Sequence, residues 1–253
     1  MIRDFIKWSA KTYRLAVMFF ISAFVIVLFP ILTEALQHFV EYRLGMFDSS
    51  DGIVGDQEQN LRLAAGIVKV LSLLAITIIV PRFFLHENNL KKAMTFSPEA
   101  KRALLLGALV FVGIFLFIFY LGPALVEMIV ITGVEISENL QRFLPLVIAL
   151  LISFWFQIRY VGATATMFDD DPMSEAEKKR FNVLSTMHFL FVAVVTVLPL
   201  MVIHYQLNFM AVDLAPVAGL AVILVVDSIV VGMLSCLLGA LVFTLYQASR
   251  ERS

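Results

Sequence analysis

Apolar residues run along this chain in blocks far longer than one face of a helix needs. With charged residues taken as limits, six blocks emerge, at about 15–36, 63–84, 103–124, 143–166, 183–204 and 217–245. Each reaches the roughly 20 residues that cross a ~30 Å hydrocarbon core at 1.5 Å per residue. The blocks are continuously apolar rather than alternating with a period of two, so they predict helices and not barrel strands. The expected fold is all-α, a polytopic transmembrane bundle of six spans over 15–247 followed by a short tail, 248–253.

Ahead of the first block, "MIRDFIKWSAKTYR" interleaves Ile2, Phe5, Ile6 and Trp8 with Arg3, Lys7 and Lys11. That pattern predicts an amphipathic helix over 1–14 lying in the membrane interface. A cleaved signal peptide is the rival reading. The apolar run is long for one and no small-residue cleavage site follows it, so the segment is expected to be retained.

Composition supports the membrane class. The chain is 60% hydrophobic and 15% charged, whereas a soluble domain carries about 25% charged residues. A net charge of -1 provides no basic field to recruit nucleic acid, which is excluded as a partner. The single cysteine, Cys236, rules out a disulfide within the chain and a cysteine metal cluster, and reads as a small core residue.

The sign of the loops sets an expected orientation. Fifteen of the 19 Lys and Arg residues fall on the side holding the N-terminus, and three, Arg43, Arg62 and Arg142, on the other; Lys69 lies inside a span. By the positive-inside rule both termini are expected in the cytoplasm. Six of the eight prolines, Pro30, Pro81, Pro123, Pro145, Pro199 and Pro216, fall in or beside a span, one to each. They predict kinks or helix ends, and broken transporter helices are the sharper alternative.

Two longer loops resemble each other. Each opens with an Arg and an aromatic, Arg82-Phe83 and Arg159-Tyr160, and each has a serine fifteen positions after the Arg, Ser97 and Ser174. Ser174 with Glu177 reads as a capping box, and Ser97 with Pro98 and Glu99 as another helix start. Lys101 and Arg102, and Lys178, Lys179 and Arg180, then stand where the chain re-enters the bilayer, suited to lipid phosphates. The match suggests a tandem two-span repeat in parallel orientation; the competing explanation is that such loops commonly carry a serine cap and a basic helix end. The three acids Asp169, Asp170 and Asp171 read as a solvated turn before Pro172.

The layout around "RYVGATATMFDDDPMSEAEKKRFNVLSTMHFLFVAVV" and the closing "LLGALVFTLYQASRE" resembles the helical membrane region of glycerophosphoryl diester phosphodiesterases and related bacterial integral membrane proteins. The resemblance covers residues 60–250 and implies a helical membrane protein. It implies no catalytic motif, and the soluble phosphodiesterase barrel is not part of this sequence.

Chemistry is sparse. Glu34, His38 and Glu41 stand at i, i+4 and i+7, on one helix face where the first span leaves the membrane, and His204 ends the fifth span at a similar level. They form a candidate outer-face polar cluster, read first as an ordinary polar helix terminus and second as a zinc or proton site. Glu127, beyond the third span, is a weaker candidate. Lys69 and Asp227 lie deeper, where an unpaired charge costs about 2.5–3.5 kcal/mol by insertion scales, and are expected to pair across the second and sixth spans. The sequence contains no H-E-x-x-H pattern and no nucleotide-binding glycine loop, so no catalytic residue, metal or cofactor is expected. The expected partners are the lipid bilayer and other membrane subunits. The leading expectation is a non-enzymatic accessory or scaffold subunit, with a small transporter or permease subunit as the alternative and an intramembrane lipid enzyme third.

Overall fold

The computed structural model describes residues 2–47, 56–132, 184–212 and 217–250. Every element among them is a helix: α1 (Ile2–Ser22), α2 (Phe24–Arg43), α3 (Asp56–Leu85), a short α4 (Leu90–Ala93), α5 (Pro98–Ile131), α6 (Leu184–Thr196), α7 (Leu198–Ala211) and α8 (Val217–Arg250). Three of these carry stretches long and apolar enough to cross a membrane, Phe24–Arg43, Asn60–Leu85 and Ala218–Ala248; α6 and α7 together make a fourth if they count as one span bent by 43°. The described residues are thus all-helical, with three or four helices of membrane-crossing length and hydropathy against the six spans expected. The expected third block lies within α5, and the fourth, 143–166, falls outside the described residues, as do the acids at 169–171, the second loop of the suggested repeat and the basic residues 178–180.

The faces of α2 are those of a helix in lipid. Val27, Pro30, Thr33, Glu34, His38 and Glu41 are buried, while Val25, Phe29, Leu32 and Phe39 point outward. Phe39 is 60% exposed and its neighbour His38 only 2%. Burying charges and exposing phenylalanines is unfavourable in water and favourable in hydrocarbon, where polar side chains turn to the bundle interior.

Helix α8 is the axis of the bundle, packing against α1, α2, α3, α6 and α7. Glycines permit its close approaches. A Cβ on Gly232 would meet Ile31 of α2 at 2.5 Å, and one on Gly239 would meet the Cβ of Val80 in α3 at 2.6 Å and the Thr77 carbonyl at 3.2 Å. That carbonyl is the one Pro81 cannot bond, because proline lacks the N–H that would reach back four residues. Small residues at such crossings let membrane helices pack backbone to backbone.

The first helix differs from its expectation. It runs unbroken over Ile2–Ser22 and is interrupted at Ala23, so neither the 1–14 boundary nor a span starting at 15 survives as a helix limit. Its face Trp8, Ser9, Thr12, Ala16 and Phe19 is buried, and the Thr12 and Thr244 hydroxyls meet at 3.0 Å. Outside this contact, Lys11 lies over the Trp8 ring at 4.7 Å. The helix is thus part of the bundle.

Proline also explains the bend between α6 and α7. Pro199 has no N–H for the Val195 carbonyl, and the break frees the Thr196 carbonyl as well. The Tyr13 hydroxyl of α1 points at both, 2.9 Å from Val195 O and 3.3 Å from Thr196 O. A side chain from another helix thereby replaces a missing backbone donor, as happens at proline breaks in membrane helices.

At the other end of α3 the chain turns through Glu87 and Asn88, both at positive φ. Arg82 is completely buried here; its Nε donates to Ala93 O at 2.7 Å, its Nη2 to Thr95 O at 2.6 Å, and its guanidinium lies over the Phe96 ring at 4.4 Å. Ser97 caps α5 as expected, accepting from the Ala100 N–H at 3.1 Å. Lys101 and Arg102 are exposed in its first turn.

Candidate functional site

Three helices bring charges to one level. Glu34 lies nine residues before Arg43, Lys69 nine after Asn60 and Asp227 nine after Ala218, so each sits about 14 Å in from the corresponding end of its apolar stretch. On α2 the i, i+4, i+7 spacing sets Glu34, His38 and Glu41 in one column facing the interior. Instead of forming a separate cluster at the surface, this column meets the deeper charges in one network.

His38 is its centre. Its Nε2 lies 2.9 Å from Asp227 Oδ2 and 3.4 Å from Glu34 Oε1, and its Nδ1 lies 3.3 Å from Glu41 Oε2. Asp227 is fully buried; its Oδ1 is 2.7 Å from His204 Nδ1, and its Oδ2 accepts from Asn208 Nδ2 at 2.9 Å. Glu41 Oε1 accepts from Arg62 Nε at 3.1 Å and from Gln37 Nε2 at 3.0 Å. Next to Lys69, the Ser72 and Thr33 hydroxyls meet at 2.8 Å and tie α3 to α2.

The expected pairing of Lys69 with Asp227 is corrected. The Lys69 ammonium lies 3.0 Å from Glu34 Oε2, and Asp227 is taken by His38, His204 and Asn208. Sequence position gives depth along a helix but not the direction a residue faces, and Glu34 stands at the same depth with its face toward α3. Lys69 and Asp227 belong to one chain of contacts, Lys69 to Glu34 to His38 to Asp227, in which they are the two ends. Glu127 is exposed on α5, and among the described residues it has no part in the network.

Sequence reasoning did not single out Arg62, Gln37 or Asn208. Periodicity could have found two of them: Arg62 precedes Lys69 by seven residues and Asn208 follows His204 by four, so each shares a face with a residue already chosen. Beside the network, a partly open crevice of about 250 Å³ runs between α2 and α8, lined by His38, Phe39, Tyr42, Leu224, Val225 and Ser228 among others.

The arrangement has a charge imbalance. Counting each carboxylate as -1 and each Lys or Arg as +1, Glu34, Glu41 and Asp227 against Arg62 and Lys69 leave a formal -1 while both imidazoles are neutral. His38 sharpens this, since both ring nitrogens face carboxylate oxygens and a neutral imidazole donates from only one. The geometry calls for a further positive centre at the ring, either a proton or a metal ion.

The Glu34–Lys69 pair is testable by itself. Lys69→Met strands a buried carboxylate and is expected to cost about 3–5 kcal/mol, whereas adding Glu34→Gln recovers most of that loss, because replacing both partners of a buried pair is often neutral. Thermal unfolding in detergent gives the comparison. Equal stability of the single and double variants would refute the coupling.

Comparison with protein-family models, with curated proteins and with solved structures finds no match to this chain.

Proposed function

We propose that this protein is a cation-handling transport or permease subunit of a bacterial inner membrane, with six spans and both termini in the cytoplasm. In this reading a cation enters from the side of Arg62 and is held by Glu34, His38 and Asp227, with His204 and Glu41 behind them. The carrying observation is the buried His38 ring, set among three carboxylates with a formal charge of -1 around it. Such groups inside a membrane domain mark ion pathways or relays far more often than chance placement would. Lys101 and Arg102 anchor α5 against lipid phosphates, and other membrane subunits complete the assembly.

The accessory or scaffold reading assigns the same network to helix packing alone. Its support is that the contacts join α2, α3, α7 and α8, and the layout resemblance to the phosphodiesterase membrane region is compatible with both readings. Vesicles reconstituted with the full chain separate them. Uptake of protons, sodium or divalent cations is expected to exceed that of protein-free vesicles and to fall at least tenfold in Asp227→Asn. Uptake equal to protein-free vesicles for every cation would sink the transport reading and leave the scaffold.

A further inference from the structure

We propose that Glu34, His38 and Asp227 form a binding site for a first-row divalent metal ion of the zinc type. The inference rests on the cation-handling reading above and names the class of cation. Suitable ligand atoms of all three residues, each buried, lie within 4.8 Å of one another. Zinc binds nitrogen and oxygen at about 2.0–2.2 Å, so two ligands on one tetrahedral ion stand about 3.4 Å apart. His38 Nε2 is 3.4 Å from Glu34 Oε1 and 2.9 Å from Asp227 Oδ2. Shifts of a few tenths of an ångström therefore admit an ion where the ring and the two carboxylates converge.

What surrounds the ligands also fits. The remote nitrogen of His38 faces the Glu41 carboxylate, the arrangement that fixes the tautomer and orientation of metal-ligating histidines. Asp227 keeps His204 and Asn208 as supports. Glu34 Oε1 accepts from Lys69 Nζ at 3.3 Å, while Glu34 Oε2 is buried 3.0 Å from the same ammonium without an aligned hydrogen bond, so the carboxylate has an oxygen to spare if it turns toward an ion. Metal binding at Nε2 removes the conflict at the ring, because the lone pair there then points at a cation while Nδ1 donates to Glu41. One imidazole with two carboxylates selects zinc, manganese, iron or cobalt over the all-oxygen preference of calcium and magnesium. Copper(I) would want thiolate, and Cys236 lies about 14 Å further along α8.

The test uses the full chain, purified in mild detergent and stripped with a chelator. Titration with Zn2+ by calorimetry is expected to show one ion per chain, and Co2+ to give visible d–d bands without thiolate charge transfer. His38→Gln and Asp227→Asn are expected to lose binding at least 100-fold, and Glu41→Gln to weaken it 10–100-fold. His86→Gln, at the opposite end of α3, keeps wild-type affinity. Helicity by circular dichroism confirms each variant as folded; if the two ligand variants unfold, the wild-type Co2+ spectrum and Glu41→Gln decide. Absence of stoichiometric binding, or unchanged binding in folded His38→Gln and Asp227→Asn, overturns the metal site. If that happens while proton or sodium uptake still depends on Asp227, the cation reading stands without the metal; if no cation is bound or taken up, both fall.

Discussion

Asp227→Ala is expected to destabilise the purified protein by about 3–5 kcal/mol, the range found when one partner of a buried ion pair is removed. The loss is large because a single carboxylate satisfies groups from two other helices. His38 of α2 and His204 and Asn208 of α7 all turn to it; Asp227 is 0% exposed and His38 is buried beside it, while His204 and Asn208 are half-buried. Asp227→Asn keeps the shape but offers a single oxygen and places an NH2 group against at least one donor, so its loss is expected to be intermediate. Thermal unfolding in detergent, followed by circular dichroism, orders the three proteins as wild type, Asn, then Ala. An alanine variant melting with the wild type would show that Asp227 holds nothing together.

The second large effect is expected at the opposite end. Arg82→Ala removes a buried guanidinium that donates to Ala93 O and Thr95 O and covers the Phe96 ring. Hydrogen bonds from a charged donor are worth about 1.5–3 kcal/mol each, so the connection between α3 and α5 is expected to loosen. Amide exchange over residues 86–97 should speed up by at least tenfold while the amides of α8 keep their protection. Arg82→Lys is expected to resemble alanine, because an ammonium cannot reproduce the planar fork and the stacking. Unchanged exchange in either variant would refute the clamp.

Much of this architecture was legible in the chain. The uncharged runs at 63–84 and 217–245 fall on the helices observed at 60–85 and 218–248, because only apolar side chains face lipid, whereas the run at 15–36 straddles the break at Ala23 between α1 and α2; Ser97-Pro98-Glu99 starts α5 by ordinary capping chemistry. The candidate residues were legible too: Glu34, His38, Glu41, Lys69, His204 and Asp227 were each singled out, and the structure assembles all six. What the pattern could not supply was who meets whom. Limiting the first span to 15–36 left Glu34 and His38 near a surface, whereas α2 continues to Arg43 and carries them inward. The mispaired Lys69 follows from the same cause, since hydropathy reports how deep a residue sits and helix crossings decide its neighbours.

The contacts of α1 bear on how the chain is made. Thr12 waits for Thr244, 232 positions later, and Tyr13 for Val195, 182 later. At ribosomal rates of about 5–20 residues per second, the helix synthesised first spends roughly 10 to 50 s without its final neighbour. During that interval its stripe can already meet α3, where Phe83 stands edge-on to Phe19, while the Trp8 and Thr12 end rests on the membrane surface, and Lys7 and Lys11 suit it to lipid headgroups. The interface is in this sense a staging post for α1, and closing it onto α8 is an act of assembly that a chain terminated before Thr244 cannot perform.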